Sequence, residues 1–547
     1  MLNDQFRKLL VGAAALLFSA ACSDGGGSNP SPSSPAPTNA PATVVISGAI
    51  TYDRVPPTIA SGLNFSAVQQ RAARGVVVEA LDSSGAVIDS TVTNASGQYS
   101  LSTPSQTQVR IQARAQLLQS GSSSWNVTVR DNTNNNAVYV LRGTLESSGA
   151  ANSTRNLNAG LGWTGASYGA TRAAAPFAAL DSIYTAMTNL VALSSVSGLT
   201  YPTLQVFWSP QNIAVQGNIS DGEISSTSYT RISGVPTILI QGSENNDTDE
   251  FDQHVIVHEF GHYLEDQLSR LDSIGGPHSL SDRLDARLAF SEGFATAFAV
   301  LILSDQIYID TFGPLQGQSF SFNVETVNTA NRGWFNESSV FRLMYDIFDS
   351  SNEGADTVTF GAGPILDTML SPSFTGDVAP GTIFLYLSEL LSQPGANVAG
   401  INAIAANELI NGSNSYGDGE TNDGGLAISL PPVKTVTVGG GSTVVCSFDD
   451  LGDFNKLGNR QLIRLTVPAS ANYTLTMTRA SGPASRDPDF LIFQASQLVA
   501  IAGSASVDIE QLTTFLAAGV YWIDAYDFGN IDDSTPSGDV CYDFSVN

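Results

Sequence analysis

Residues 253–263 read Gln253-His254-Val255-Ile256-Val257-His258-Glu259-Phe260-Gly261-His262-Tyr263, and the spacing of the histidines decides what the segment means. In an α-helix, positions four apart share a face with Cβ atoms about 5–6 Å apart, so His258 and His262 can aim both imidazoles at one metal ion. Glu259 lies on the flank of that face, where a carboxylate can take a proton from an activated water. Asp247, Asp249, Glu250 and Asp252 crowd the start of the helix, where negative charge suits the helix dipole. Val255, Ile256, Phe260, Leu264 and Leu268 give it apolar surface to bury. The chain has only four histidines, and all but one fall between positions 254 and 262. That clustering favours a zinc site over a helix with satisfied surface histidines.

A catalytic zinc has three protein ligands and one open position. Leu268 stands six residues after His262, which excludes the extended motif that would place a third histidine there. Glu292 is the expected third ligand, in the run Phe290-Ser291-Glu292-Gly293-Phe294-Ala295-Thr296-Ala297-Phe298. This run reads as a second helix, with Ala289, Gly293 and Ala297 small enough to let it approach the first. His278, in the loop Gly275-Gly276-Pro277-His278-Ser279 between the two helices, is the alternative ligand, and Asp266 and Asp272 are weaker ones. His254 shares the ligand stripe and reads as a half-exposed packing residue, or else as a support or substrate contact.

Over residues 237–300 the chain resembles the gluzincins, the thermolysin-like group with two histidines and a downstream glutamate on zinc. The spacing from His262 to Glu292 is nearer that of fungalysins, whose Gly-Glu-Gly-Trp-Ser-Asp run is matched here by Ser291-Glu292-Gly293-Phe294-Ala295-Thr296. The resemblance implies a zinc metallopeptidase with His258, His262 and Glu292 on the metal and Glu259 as general base. Thr296 replaces the carboxylate that orients a zinc histidine in those families, leaving Asp252, Asp282 or Asp285 as candidate substitutes. Thermolysin also uses a late histidine on the oxyanion, whereas no histidine follows His278 here. Tyr345, or Tyr263 as a weaker choice, is the expected donor in its place.

The chain has 547 residues, with 51 acidic against 23 basic side chains and a net charge of −28. That balance argues against nucleic acid as a partner and reads as a solvated exterior. Arg7 and Lys8 precede an apolar run over 9–18, then Ser19, Ala20, Ala21 and Cys22. Residues 1–21 are thus an export signal, and the arrangement resembles a bacterial lipoprotein signal with Cys22 lipidated, ordinary cleavage near Ala21 being the alternative. No second apolar run reads as long and uncharged enough to cross a bilayer. Cys446 and Cys541 remain, and in an exported chain this pair reads as a disulfide, two buried thiols being the weaker reading.

Residues 22–43 are rich in Gly, Ser, Pro and Ala and read as a tether. Residues 44–150 carry short strands at 44–51, 75–81, 87–92, 98–101 and 109–115. They resemble a transthyretin-type, carboxypeptidase-regulatory-like β-sandwich through Gly75-Val76-Val77-Val78 and Asn94-Ala95-Ser96-Gly97-Gln98-Tyr99. Residues 151–432 mix helices and strands, with helices expected at 177–193, 250–270, 283–303, 336–349 and 382–391. Residues 433–547 resemble the bacterial pre-peptidase C-terminal domain through Asp487-Pro488-Asp489-Phe490-Leu491-Ile492-Phe493 and Ala518-Gly519-Val520-Tyr521-Trp522-Ile523; such domains are often removed on maturation.

The expected architecture is therefore multidomain, an α+β zincin-like catalytic domain between two all-β sandwiches. The expected function is hydrolysis of protein or peptide substrates at a bacterial cell envelope, by an outer-membrane lipoprotein held through its anchor, or by a secreted form. A catalytically weak or inactive surface adhesion or scaffold lipoprotein that binds through the β-sandwiches is the rival, and a zinc enzyme hydrolysing a non-peptide amide is a second. Zinc is the expected cofactor. Calcium is a second one, with Asp418-Gly419-Glu420-Thr421-Asn422-Asp423 as a candidate stretch that reads better as a solvated turn.

Overall fold

A computed structural model describes residues 42–327, 330–351, 354, 356–532 and 538–547. The export signal, Cys22 and all but the end of the tether lie outside the described residues. What is described is a multidomain protein of mixed α and β structure, β-rich at both ends and helical in the middle.

The first strands are β1 (Thr43–Arg54), β2 (Val76–Leu81), β3 (Val87–Val92), β4 (Gln98–Pro104), β5 (Gln108–Gln119) and β6 (Trp125–Asp131). β4 alternates buried and exposed residues, as a half-covered strand must, and pairs antiparallel with β1. β2 is buried along its whole length. After helix α1 (Ala174–Leu193) come β7 (Leu204–Trp208), β8 (Ser228–Ile232) and β9 (Val235–Ile240).

These strands do not form a second, separate sheet. The order runs β8-β9-β7-β6-β5-β2-β3, and β7 pairs parallel with β6 from Leu204 opposite Val127 to Phe207 opposite Arg130. β1 likewise pairs parallel with Ser153–Thr154 and Leu157–Ala159. The boundary expected between 150 and 151 thus runs through hydrogen-bonded sheet. β6 carries Val127 and Val129 into the core, and its outer edge would stay unpaired without β7.

The helical middle holds α2 (Gln253–Leu268) and α3 (Ala286–Leu303), then β10 (Ile307–Phe312), β11 (Gln318–Asn323) and α4 (Glu337–Phe348). Asp285 caps α3 by accepting from Arg287 N, and Asn336 caps α4 by accepting from Ser339 N. α3 is apolar and long enough to cross a membrane by composition, contrary to the expectation of no such run. It lies buried from Ala286 to Ile302, so it is a core helix.

Glycines set the helix spacing, but not all as expected. At Gly261 a Cβ would lie 3.0 Å from Ala295 Cα, so α2 meets α3 there. Gly293 instead faces α4, where a Cβ would come within 2.4 Å of Val340 Cβ.

The C-terminal strands are β12 (Val433–Thr437), β13 (Thr443–Ser447), β14 (Arg460–Val467), β15 (Ala471–Ser481), β16 (Pro488–Gln494), β17 (Gln497–Ala502), β18 (Ile509–Leu516), β19 (Gly519–Asp527) and β20 (Val540–Val546). They form two sheets, β12-β14-β19-β16-β17 and β13-β20-β15-β18, around a core of their own that includes Ile463, Leu475, Phe490, Ile523 and Phe544. Cys446 and Cys541 face each other across β13 and β20 and are joined as a disulfide.

Candidate metal centre

α2 and α3 bring His258, His262 and Glu292 to one point. His258 Nε2 and His262 Nε2 lie 3.2 Å apart, and each is 3.2 Å from Glu292 Oε2. Ligands about 2.0–2.1 Å from a tetrahedral zinc are spaced about 3.3 Å apart, so the three atoms fit one face of such a shell.

The outer nitrogens are also engaged. His262 Nδ1 lies 3.1 Å from Glu265 Oε2 and 3.2 Å from Ser291 Oγ, and Ser291 donates to the same Glu265 oxygen at 2.7 Å. A carboxylate at Nδ1 keeps the proton there and leaves Nε2 to bind. His258 Nδ1 lies 3.1 Å from Thr296 Oγ1. The expected substitutes are used elsewhere: Asp252 accepts from Thr311, Asp285 holds Arg287, and Asp282 accepts from Ser279 and pairs with Lys456. Thr296, at the position read as a loss, itself reaches the histidine. Glu265, three residues after His262 on the same helix face, carries no mark in the sequence pattern that sets it apart from other acids.

Burial opposes ionisation of Glu292, but His262, His258 and His278 outweigh it and hold the carboxyl well below its usual range. Burial also opposes charge on His262, and Glu292 and Glu265 more than reverse this, raising it. A metal at Nε2 would release that proton. Glu259 is raised chiefly by burial, with the two histidines pulling it back. Its Oε2 accepts from the Tyr229 backbone N–H of β8 at 2.6 Å, which fixes the carboxylate beside the ligands.

His278 reaches the site from its loop, with Nε2 3.3 Å from Glu292 Oε2 and Nδ1 3.2 Å from Glu337 Oε2 at the start of α4. Burial lowers His278, yet Glu337 and Glu292 prevail and raise it to about 9. The loop is held by the connection between β13 and β14: Asn455 Nδ2 donates to Gly275 O at 3.0 Å and Pro277 O at 3.2 Å. Gly276, at φ +101°, has no room for a Cβ against Phe454.

The hydroxyl of Tyr345, the expected oxyanion donor, donates to Gln306 Oε1 at 3.1 Å. Tyr263 donates to Pro202 O. The tyrosine ring set against His258 is Tyr308 of β10, at 6.3 Å between centroids, and no pattern in the sequence marked it. His254 is buried rather than half-exposed, with Nε2 3.3 Å from Asp305 O. In the 418–423 stretch, Glu420 accepts from the backbone of Asn411, Gly412, Thr421 and Asn422, as an acid does when it organises a turn.

Residues 212–375 match the family described as the Mycolysin C-terminal domain, which is peptidase-associated. The matched segment contains α2 and α3, with His258, Glu259, His262, Glu265, His278, Glu292 and Thr296. Among solved structures, the chain is similar to the pre-peptidase C-terminal domain of a collagenase from Bacillus anthracis, at 13% identity over 21% of this chain and 94% of that one, with a TM-score of 0.16. It is also similar to a periplasmic inhibitor of g-type lysozyme from Aeromonas hydrophila, at 18% identity over 21% and 96%, with a TM-score of 0.14. Scores this low fix neither fold nor function. No curated protein matches the chain.

Proposed function

We propose that this chain is a zinc-dependent endopeptidase of the gluzincin type, acting outside the cytoplasm and tethered to a bacterial envelope through Cys22. The observation that carries the reading is the 3.2 Å spacing among His258 Nε2, His262 Nε2 and Glu292 Oε2, backed by Glu265 and Thr296 on the outer nitrogens. When bound, zinc supplies Lewis-acid activation of water and of the scissile carbonyl.

Glu259, desolvated and fixed by the Tyr229 N–H, is the base that takes the proton of the attacking water and delivers it to the leaving amine. His278, held between Glu292 and Glu337, is the protein donor best placed to meet the developing oxyanion. Protein or peptide chains are the substrates.

The scaffold reading loses its main support, since Thr296 reaches His258 and a carboxylate backs His262. The deciding experiment measures zinc in the purified protein, then casein hydrolysis before and after a chelator. A folded, zinc-free protein that stays inactive when zinc is added would overturn the proposal.

A further inference from the structure

Ahead of α2 lies a group of acids that the zinc chemistry does not use. Asp247, on the short strand Asp247–Thr248, Asp249, in the turn before α2, and Asp310, on β10, each offer an oxygen within 4.8 Å of the others. Asp249 is 2% exposed. Thr227 donates to its Oδ2, but among the described residues its Oδ1 meets no donor, and neither do Asp247 Oδ1 and Asp310 Oδ1.

Two further side chains join them. Gln241, 6% exposed, places its amide nitrogen 3.5 Å from Asp247 Oδ2, while its Oε1 is unpartnered. Asp252, fully buried, accepts from Thr311 N and Oγ1 on Oδ2, at 3.0 and 2.7 Å, and leaves Oδ1 without a partner. The nearby cations are engaged elsewhere. Arg172 pairs with Glu250, and Arg54 donates to Phe251 O and Gln253 Oε1.

Buried carboxylates without donors are unfavourable unless a cation compensates them. The donors here are all oxygen, which excludes the soft metals. Magnesium demands near-ideal octahedral geometry and keeps most of its water, whereas calcium takes 6–8 oxygens at about 2.3–2.6 Å in flexible arrangements. Two oxygens about 2.4 Å from one ion can lie up to about 4.8 Å apart, so these carboxylates can share it.

We propose that Asp247, Asp249 and Asp310 bind a structural calcium ion, with Gln241 Oε1 and Asp252 supplying the remaining protein oxygens. The ion ties β10, which carries Tyr308 against His258, to the turn from which α2 starts. The site does not depend on the zinc reading.

The test uses the full chain freed of metal by chelation, with zinc content measured separately. Titration calorimetry with calcium chloride, and with magnesium chloride as a control, reads stoichiometry and affinity. Expected are calcium binding at this site, and a melting temperature about 5 °C or more higher at a thousandfold excess over Kd. Asp249→Asn and Asp310→Asn should each weaken that binding at least tenfold while leaving zinc content unchanged. In case either variant folds poorly, calcium-dependent hydrogen exchange in the unaltered protein supplies a second readout, with protection expected at 241–252 and 307–312. An absence of calcium binding, full calcium affinity in both folded variants, or protection confined to other segments would overturn the proposal.

Discussion

Glu265 Oε2 sits 3.1 Å from His262 Nδ1, inside the same helix and within the protein interior. The carboxylate facing His262 is therefore built into α2, and Ser291 of α3 holds the same oxygen. Glu265→Ala should weaken zinc binding about 10–100-fold, and Thr296→Val should weaken it less, since a hydroxyl supports His258 less strongly than a carboxylate supports His262. Competition with a chromophoric zinc chelator measures both. Equal affinity in Glu265→Ala and the parent would contradict this role.

Glu259 touches no metal-facing atom of the ligand set, whereas Glu292 is one of its three corners. Glu259→Gln should keep stoichiometric zinc and lose hydrolysis by about 10²-fold or more. Glu292→Ala should lose the zinc itself. Metal analysis of the second variant is the more telling measurement, because normal occupancy there would remove Glu292 from the site.

Gly293 holds α3 against α4, with Val340 where its Cβ would go. Gly293→Ala should destabilise the protein by about 1–3 kcal/mol through overpacking. Val340→Ala, added to it, should recover part of the loss because the two sites share one space. Denaturant melts of the single and double variants test this, and purely additive losses would count against it.

Asp489 in β16 is pushed up to about 8, first by burial and then by Asp487, Glu510 and Asp527, with Arg460 pulling the other way. A carboxyl raised on folding binds its proton more tightly in the native state. Its contribution is present below the ordinary value of 3.8 and is lost as pH climbs toward 8. Thermal stability should therefore fall between pH 5 and pH 9, and Asp489→Asn should flatten that slope. A slope unchanged in the variant would show that other groups set it.

The helices of the centre were legible because their signals are local. Histidines four apart and the acids crowding the start of α2 can be read without knowing the partners. Glu292 stood out as an acid on a second helix among small residues, and the structure brings its Oε2 within 3.2 Å of both histidines. Glu337, Tyr308 and Ser291 stayed hidden, since nothing local says which residue across a loop will face a histidine. Gly293 was visible as a small residue, but its partner helix was not. The helical setting of Tyr345 says nothing about which acceptor takes its hydroxyl, and here Gln306 does.

The sheet misread at residue 150 reaches further than a boundary. Because β6 and β7 are adjacent parallel strands some 75 residues apart in sequence, the amino-terminal part cannot finish its sheet until β7 has been made. It must wait for β7 with an open, apolar edge, the state in which intermolecular strand pairing competes. A fragment starting at 151 would carry the reciprocal defect, with β7 exposed on the side where β6 belongs. The two regions therefore form one expressible module, joined through the pairing of β6 with β7.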